Sequence, residues 1–165
     1  MGVRGATLLV VLASMVAGAA CVQASTTPPR PFVSALELAP EDPSPGGQFV
    51  WLYNPSAKTL NLGCHRLRSN RETVVIKPNT LVPPQSTVTF APPQAWLRST
   101  DRVELVNRAG KVVSRTPLLH DEAGDGRFWF KRPATEWRFG TARTYGEEVV
   151  KGKIATAAIE SCKVD

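Results

Sequence analysis

The residues best suited to chemistry form one polar run, His120-Asp121-Glu122, followed closely by Asp125. A calcium loop needs several oxygen ligands at fixed positions. Here small residues occupy the intervening places, and no glutamate closes the run as in an EF-hand. The segment therefore predicts a turn that leads into the aromatic residues from Phe128 onward. We predict neither a metal site nor a cofactor.

Nucleophilic catalysis has few candidate residues, because the chain has only two histidines and three cysteines. Cys64 and His65 are adjacent, so on a strand their side chains would point to opposite faces and could not form a thiol–imidazole pair. The sequence has no Gly-x-Ser-x-Gly elbow, phosphate-binding loop or His-Glu-x-x-His motif. We therefore predict that the protein is not an enzyme.

Basic and aromatic residues are interleaved in the last third of the chain, and the formal net charge is +6. Arginine and aromatic side chains can together hold phosphates and stack on bases. Because the basic residues are scattered rather than clustered, an ordinary solvated surface is the competing interpretation. The candidate binding surface, which would take an anionic polymer such as DNA or a glycan, consists of Trp129, Lys131, Arg132, Trp137 and Arg138.

The first 24 residues have the pattern of a secretory signal peptide. Arg4 is the only charged residue among them, and a short apolar run over 6–16 precedes small residues. The run is shorter than the roughly 20 apolar residues that span a membrane. We expect cleavage before Ser25. The alternative is cleavage after residue 20, which would make Cys21 the lipidated first residue of a lipoprotein.

This pattern predicts an exported protein, either secreted or periplasmic, or alternatively a membrane-anchored lipoprotein. Membrane contact would then occur only through the lipid on Cys21. Residues 25–31 are a proline-rich spacer that is expected to be extended.

Two cysteines, Cys64 and Cys162, certainly remain after removal of the leader. An exported chain meets oxidising conditions, so we expect these two residues to form a disulfide. Such a bridge would close a loop of about 98 residues and stabilise the fold by about 4–5 kcal/mol in the chain-entropy description. The alternative is two free thiols, one of them buried and the other in the C-terminal tail.

Beyond the spacer, short β-rich segments alternate with turn residues. The expected strands include 48–53, 73–76, 81–82 and 128–130. Such closely spaced short strands, without strand–helix alternation, predict an all-β sandwich or barrel in a single domain. The only helical turn expected within the domain covers residues 95–100.

The tail over 141–165 has apolar residues at helix-like spacing, but its β-branched residues are equally compatible with strands.

Five segments resemble, in the same order, those of the lamin-tail domain family. The first reads Phe-Val-Trp-Leu-Tyr-Asn-Pro-Ser, and the fourth combines Asp-Arg-Val-Glu-Leu with a turn and Lys-Val-Val. The resemblance covers roughly residues 31–140. The five segments lie within 49–56, 60–67, 76–89, 101–113 and 124–137.

The resemblance implies an immunoglobulin-like β-sandwich over 32–140, of the kind found in nuclear lamins and in many exported bacterial proteins. It implies the fold more strongly than a function, because one fold serves many functions. We expect a non-catalytic interaction or structural module of the bacterial cell envelope or extracellular space, with protein partners. The alternative is a binding module for an anionic polymer. Trp51, Trp129 and Phe130 are expected in the core, with a binding surface as the alternative.

Overall fold

The computed structural model describes residues 29–41, 47–91, 95–131 and 136–141, the backbone of 149–151 and 154–155, and Cys162. Within these residues the chain forms short β-strands and no α-helix. The strands of the first part are β1 (Phe32–Glu37), β2 (Phe49–Tyr53), β3 (Leu60–Asn61), β4 (Arg66–Arg68), β5 (Thr73–Ile76), β6 (Leu81–Val82) and β7 (Thr87–Phe90). Those of the second part are β8 (Thr100–Asp101), β9 (Glu104–Val106), β10 (Val112–Arg115), β11 (Leu119–His120), β12 (Phe128–Phe130), β13 (Arg138–Gly140), β14 (Val149–Lys151) and β15 (Ile154–Ala155).

Two sheets contain most of these strands. The larger sheet has the order β13-β12-β1-β2-β7-β14, and the smaller one has the order β10-β9-β4-β5-β15. All neighbours are antiparallel except β14, which runs parallel to β7. Two further pairs, β11 with β8 and β3 with β6, complete the described strands.

Both sheets contribute to one apolar core. In β2, Val50 and Leu52 are fully buried, whereas the alternate residues are half-buried, as the two-residue period of a strand requires. Leu67 and Leu105 of the smaller sheet belong to the same core. The amide of Val33 donates a hydrogen bond to Ser114 Oγ at 3.1 Å and so links the two sheets. The architecture confirms the expected all-β class and is consistent with a β-sandwich.

The helical turn expected over 95–100 is wrong: these residues are not helical, and the Gln48 side chain binds their backbone. Its Oε1 accepts the amides of Trp96 and Leu97 at 2.9 and 3.0 Å, and its Nε2 donates to the carbonyls of Leu38 and Leu97. One buried side chain thus joins residues 96–97 to the end of β1. The result places Trp96 in the core with no exposed surface.

Asn54 fixes the turn that ends β2. Its Nδ2 donates to the carbonyls of Lys58, Val82 and Pro83, and its Oδ1 accepts the amide of Ser56 at 2.9 Å. The side chain is fully buried, so these bonds replace the water that it loses. The Tyr-Asn-Pro-Ser segment is therefore a turn whose asparagine also joins it to β6.

Asp101 performs a similar role in β8. Its two carboxylate oxygens accept the backbone amides of Asn70, Arg98 and Arg102 at 2.9, 3.0 and 2.7 Å, and the residue has no exposed surface. Hydrogen bonds to a charged acceptor are stronger than those between neutral groups. One carboxylate thus holds the loop after β4 against the start of β8.

The tail provides one strand to each sheet. The sequence left helix and strand open for this segment, and residues 149–151 and 154–155 form strands. β14 pairs with β7, and β15 pairs with β5. Cys162 forms a disulfide with Cys64, in agreement with the expected pairing. The expected signal peptide and lipidation at Cys21 fall outside the described residues.

Candidate interaction surface

Aromatic residues cover the outer side of the larger sheet. The alternation that directs Val50 and Leu52 into the core directs Phe49 and Trp51 to the opposite face. On β12, Trp129 packs against the core, so its neighbours Phe128 and Phe130 lie on the outer side. We call these four residues the outer aromatic face: Phe49, Trp51, Phe128 and Phe130.

The rings of this face contact one another. Phe49 and Trp51 are stacked with their centroids 5.4 Å apart, and Phe49 meets Phe128 edge to face at 5.2 Å. Phe128 also lies 6.0 Å from Phe130 in an edge-to-face arrangement. These are distances and orientations that aromatic pairs prefer. The rings therefore form one cluster rather than four separate side chains.

The outer aromatic face is half-buried rather than fully covered. The solvated face of an antiparallel sheet is usually polar, so four adjacent aromatic residues there are unusual. Arg138 on β13 is exposed and pairs in register with Phe130, which places a charged side chain at the rim. An apolar centre with a charged rim is the usual composition of a protein interface.

The structure separates the residues of the sequence-predicted surface between two sides of the sheet. Trp129 and Trp137 are half-buried against the core, and the indole of Trp129 donates to the His120 carbonyl at 3.0 Å. Arg138 lies on the opposite, outer side. Lys131 is half-buried, and its amide donates to the Ser34 carbonyl at 2.7 Å.

Arg132, the remaining member of the predicted surface, falls outside the described residues. Among the expected core aromatics, Trp129 does pack on the core, whereas Trp51 and Phe130 lie on the outer aromatic face. In the sequence, this face is indicated by the segment Phe-Val-Trp-Leu-Tyr, in which aromatic and aliphatic residues alternate. Both sides of that strand are apolar, which a strand with one solvated side does not need.

A second surface with functional potential covers the outer side of the smaller sheet. Glu104 accepts from Arg68 Nε at 2.7 Å and from Arg115 Nε at 2.6 Å, and each of these pairs spans two neighbouring strands. Burial alone would raise the pKa of Glu104, but the hydrogen bonds from the two arginines outweigh it and lower the pKa below its ordinary value. Arg66 is exposed on the same strand as Arg68, so positive charge exceeds negative charge there.

Two buried carboxyl groups meet near the end of β1. Glu37 and Asp121 are each 3% exposed, and Glu37 Oε1 accepts the Ala39 amide at 3.0 Å. Burial raises the pKa of Glu37 from 4.5 to about 7. The carboxylates of Asp121 and Asp125 add to this rise, which the Ala39 hydrogen bond only partly offsets. Glu37 thus keeps its proton to a pH at which an exposed glutamate is charged.

The two histidines lie in different surroundings, His65 partly buried beside the disulfide and His120 exposed on β11. Cys64 is in the disulfide and has no free thiol, and burial, with Arg108 nearby, lowers the pKa of His65. His120 is exposed, with Nδ1 2.6 Å from Thr100 Oγ1 and Nε2 3.9 Å from Glu122. Among the described residues, no three histidine, cysteine or acidic side chains are arranged to hold a metal ion.

Comparison with known proteins adds no family assignment: no protein-family model matches the chain, and no curated protein matches it significantly. Within the part of the chain that the structure describes, no helix is long and apolar enough to cross a membrane.

Proposed function

We propose that this protein is a non-catalytic interaction module that binds a protein partner through its outer aromatic face. The carrying observation is the cluster of Phe49, Trp51, Phe128 and Phe130, which is half-buried on the outer side of the larger sheet. Aromatic residues are enriched at the centres of protein interfaces, where they supply most of the binding free energy. Covering this cluster would remove apolar surface from water.

We further propose that the fold is an immunoglobulin-like sandwich of the lamin-tail type. The two sheets around one core support this assignment, and so do the five sequence segments between residues 49 and 137. The module would act outside the cytoplasm, in the bacterial envelope or the extracellular space. The pairing of Cys64 with Cys162 supports export, because disulfides are typical of oxidising compartments.

Site-specific photo-crosslinking in intact cells tests the partner class. A photoreactive phenylalanine would replace Arg138 at the rim of the outer aromatic face, or the exposed Arg115 on the other sheet as the matched control. We expect one defined protein adduct from position 138 and none of the same mass from position 115. Equal adducts from both positions, or adducts only to nucleic acid or glycan, would refute the proposal.

The second candidate function is binding of an anionic polymer to the outer side of the smaller sheet. The supporting observation is the excess of arginine around Glu104, formed by Arg66, Arg68 and Arg115. Affinity for a polyanion falls steeply with salt, because binding releases counterions. Binding of short duplex DNA or a sulfated glycan that is unchanged between low and physiological salt would eliminate this candidate.

A further inference from the structure

A carboxyl group lies within the outer aromatic face. Glu37 of β1 is the register partner of Phe49, and partners in an antiparallel pair have their side chains on the same side of the sheet. The register of β1 with β12, continued by one step beyond Leu36 and Trp129, brings Glu37 opposite Phe128. Glu37 therefore occupies the position between Phe49 and Phe128, whose rings meet at 5.2 Å.

Asp121 supplies a second buried carboxyl group beside Glu37, and each of the two residues is 3% exposed. Asp121 Oδ1 accepts the Ala123 amide at 3.0 Å, but its buried Oδ2 has no amide, hydroxyl or basic donor among the described residues. Buried polar atoms normally have a partner. Protonated Glu37 is such a donor: burial raises the pKa of Glu37 to about 7, and a hydrogen bond to Asp121 adds to the rise.

Glu37 and Asp121 lie side by side without a cationic partner in the described part of the chain. The adjoining strands β2 and β12 contribute aliphatic and aromatic residues only. The charged and titratable groups on the segments around the pair are all exposed: Glu41, Arg98, His120, Glu122, Asp125 and Arg127. Of these, Asp125 acts on Glu37 and is itself paired with Arg127. A proton is therefore the positive charge available to hold the two carboxyl groups together.

We propose that Glu37 and Asp121 share one proton, and that its loss to water loosens the outer aromatic face. With the proton in place, Glu37 donates to Asp121 Oδ2 and so joins the end of β1 to the segment that leads into β12. Without it, two buried carboxylates face each other, which is strongly unfavourable. Glu37 then turns to water on the outer side of the sheet, which separates Phe49 from Phe128.

The shared proton makes binding at the outer aromatic face depend on pH, a consequence that rests on the proposed function. The pKa of Glu37 is about 7, so about nine-tenths of the molecules hold the proton at pH 6 and about one-tenth at pH 8. If the protonated form is the one that binds, the apparent affinity falls in proportion to its fraction. We expect the partner to bind about tenfold more weakly at pH 8 than at pH 6.

Carbon-13 NMR of the side-chain carboxyl groups tests the shared proton in the full-length protein without any partner. We expect the Glu37 and Asp121 signals to shift together, with one midpoint near pH 7. Asp121→Asn removes the charge that favours the proton and should lower the Glu37 midpoint by about one pH unit. The matched change Glu136→Gln, at an exposed position, should leave it unchanged. A Glu37 midpoint near 4.5, or one that Asp121→Asn does not lower, would overturn the shared proton.

Fluorine NMR of protein that contains fluorotryptophan tests the link between the proton and the face. Trp51 contacts both Phe49 and Phe128, so its signal, assigned with a Trp51→Phe variant, should move with the midpoint of Glu37. The signal of Trp96, which is fully buried in the core, should not follow this midpoint. In Glu37→Gln the Trp51 signal should stay constant, because an amide does not ionise. A Trp51 signal that ignores pH in wild type, or that moves equally in Glu37→Gln, would overturn the loosening of the face.

Affinity for the crosslinked partner at the two pH values completes the test. Wild type should bind about tenfold more tightly at pH 6 than at pH 8, and Glu37→Gln should bind equally at both. Equal wild-type affinities would overturn the regulation of binding. Failure of the proposed function is distinguishable, because it would appear as wild-type affinity of Trp51→Ala, whereas the two NMR titrations need no partner.

Discussion

The rings of Trp51 and Phe128 are in contact, with centroids 5.6 Å apart, although strand β1 lies between the strands that carry them. Ala35 of β1 makes this contact possible. It is the register partner of both Trp51 and Phe130, and it has no exposed surface. A methyl group is small enough for rings from both sides to meet above it. The outer aromatic face is therefore continuous across three strands.

Enlarging Ala35 should break this continuity. We expect Ala35→Leu to destabilise the protein by about 1–3 kcal/mol, because position 35 is fully buried and a larger side chain must displace its neighbours. Chemical denaturation measures the change in stability, and near-ultraviolet circular dichroism reports the changed ring environment. The control is Ala109→Leu in the exposed turn after β9, which should change stability by less than about 0.5 kcal/mol. Equal effects at both positions would contradict the role of Ala35.

Much of the fold could be predicted from the sequence because the strands are bounded by turn residues. Thr73–Ile76, Leu81–Val82 and Phe128–Phe130 occur at the residues expected for them. By contrast, Leu119–His120 and Arg138–Gly140 were not predicted. These segments are too short to show an alternation of their own, and they are strands because a partner strand pairs with them.

The candidate site was less predictable, because sequence proximity does not determine which side of a sheet a residue occupies. Trp137 and Arg138 are neighbours in the chain, yet Trp137 packs on the core and Arg138 lies on the outer side. Phe49 and Phe128 are 79 positions apart, and only the order of the strands brings their rings together. The role of Gln48 in binding the backbone of residues 96–97 was likewise missed, because these partners are far away in sequence.

The Glu37 carboxyl should make stability depend on pH in a defined direction. Its pKa is about 7 in the folded protein and ordinarily 4.5, so between these values the unfolded chain releases a proton that the folded protein retains. The stabilisation that the retained Glu37 proton gives is complete below pH 4.5 and is lost as the pH rises through 7. We expect Glu37→Gln to be more stable than wild type at pH 8, by up to about 3 kcal/mol, and not at pH 4.

Chemical denaturation of both proteins at the two pH values gives this difference directly. Comparison of the variant with wild type removes the contributions that other titrating groups make to both. Glu136→Gln is the matched control, since Glu136 is exposed and is not among the groups that shift the pKa of Glu37. A Glu37→Gln effect that is the same at pH 4 and pH 8 would be inconsistent with a raised pKa.

Removal of the Asp101 carboxylate should be strongly destabilising. Asp101 is fully buried, and its carboxylate accepts three backbone amides. Asp101→Ala leaves these amides without their acceptor. Each of these three hydrogen bonds contributes about 1 kcal/mol, so we expect a total loss of about 3 kcal/mol. The midpoint of urea denaturation measures it. A loss below about 1 kcal/mol would show that water or another group replaces the carboxylate.

Glu104 distinguishes a structural role of the arginine surface from a polyanion-binding role. Its partners Arg68 and Arg115 are about half exposed, so Glu104→Gln should cost no more than about 1 kcal/mol of stability. If the smaller sheet binds anionic polymers, the same variant should bind duplex DNA more tightly at low salt, because a negative charge is removed. Unchanged DNA affinity would argue against this surface as a polyanion site.

The most direct test of the proposed function is the affinity of the crosslinked partner, once purified, for variants of the outer aromatic face. We predict that Trp51→Ala weakens binding at least about tenfold, as loss of a central aromatic residue does in protein interfaces. Leu118→Ala, which removes an exposed apolar side chain elsewhere (55% exposed), should bind like wild type. Circular dichroism establishes that both variants are folded. Wild-type affinity of a folded Trp51→Ala variant would contradict the claim that the outer aromatic face is the binding surface.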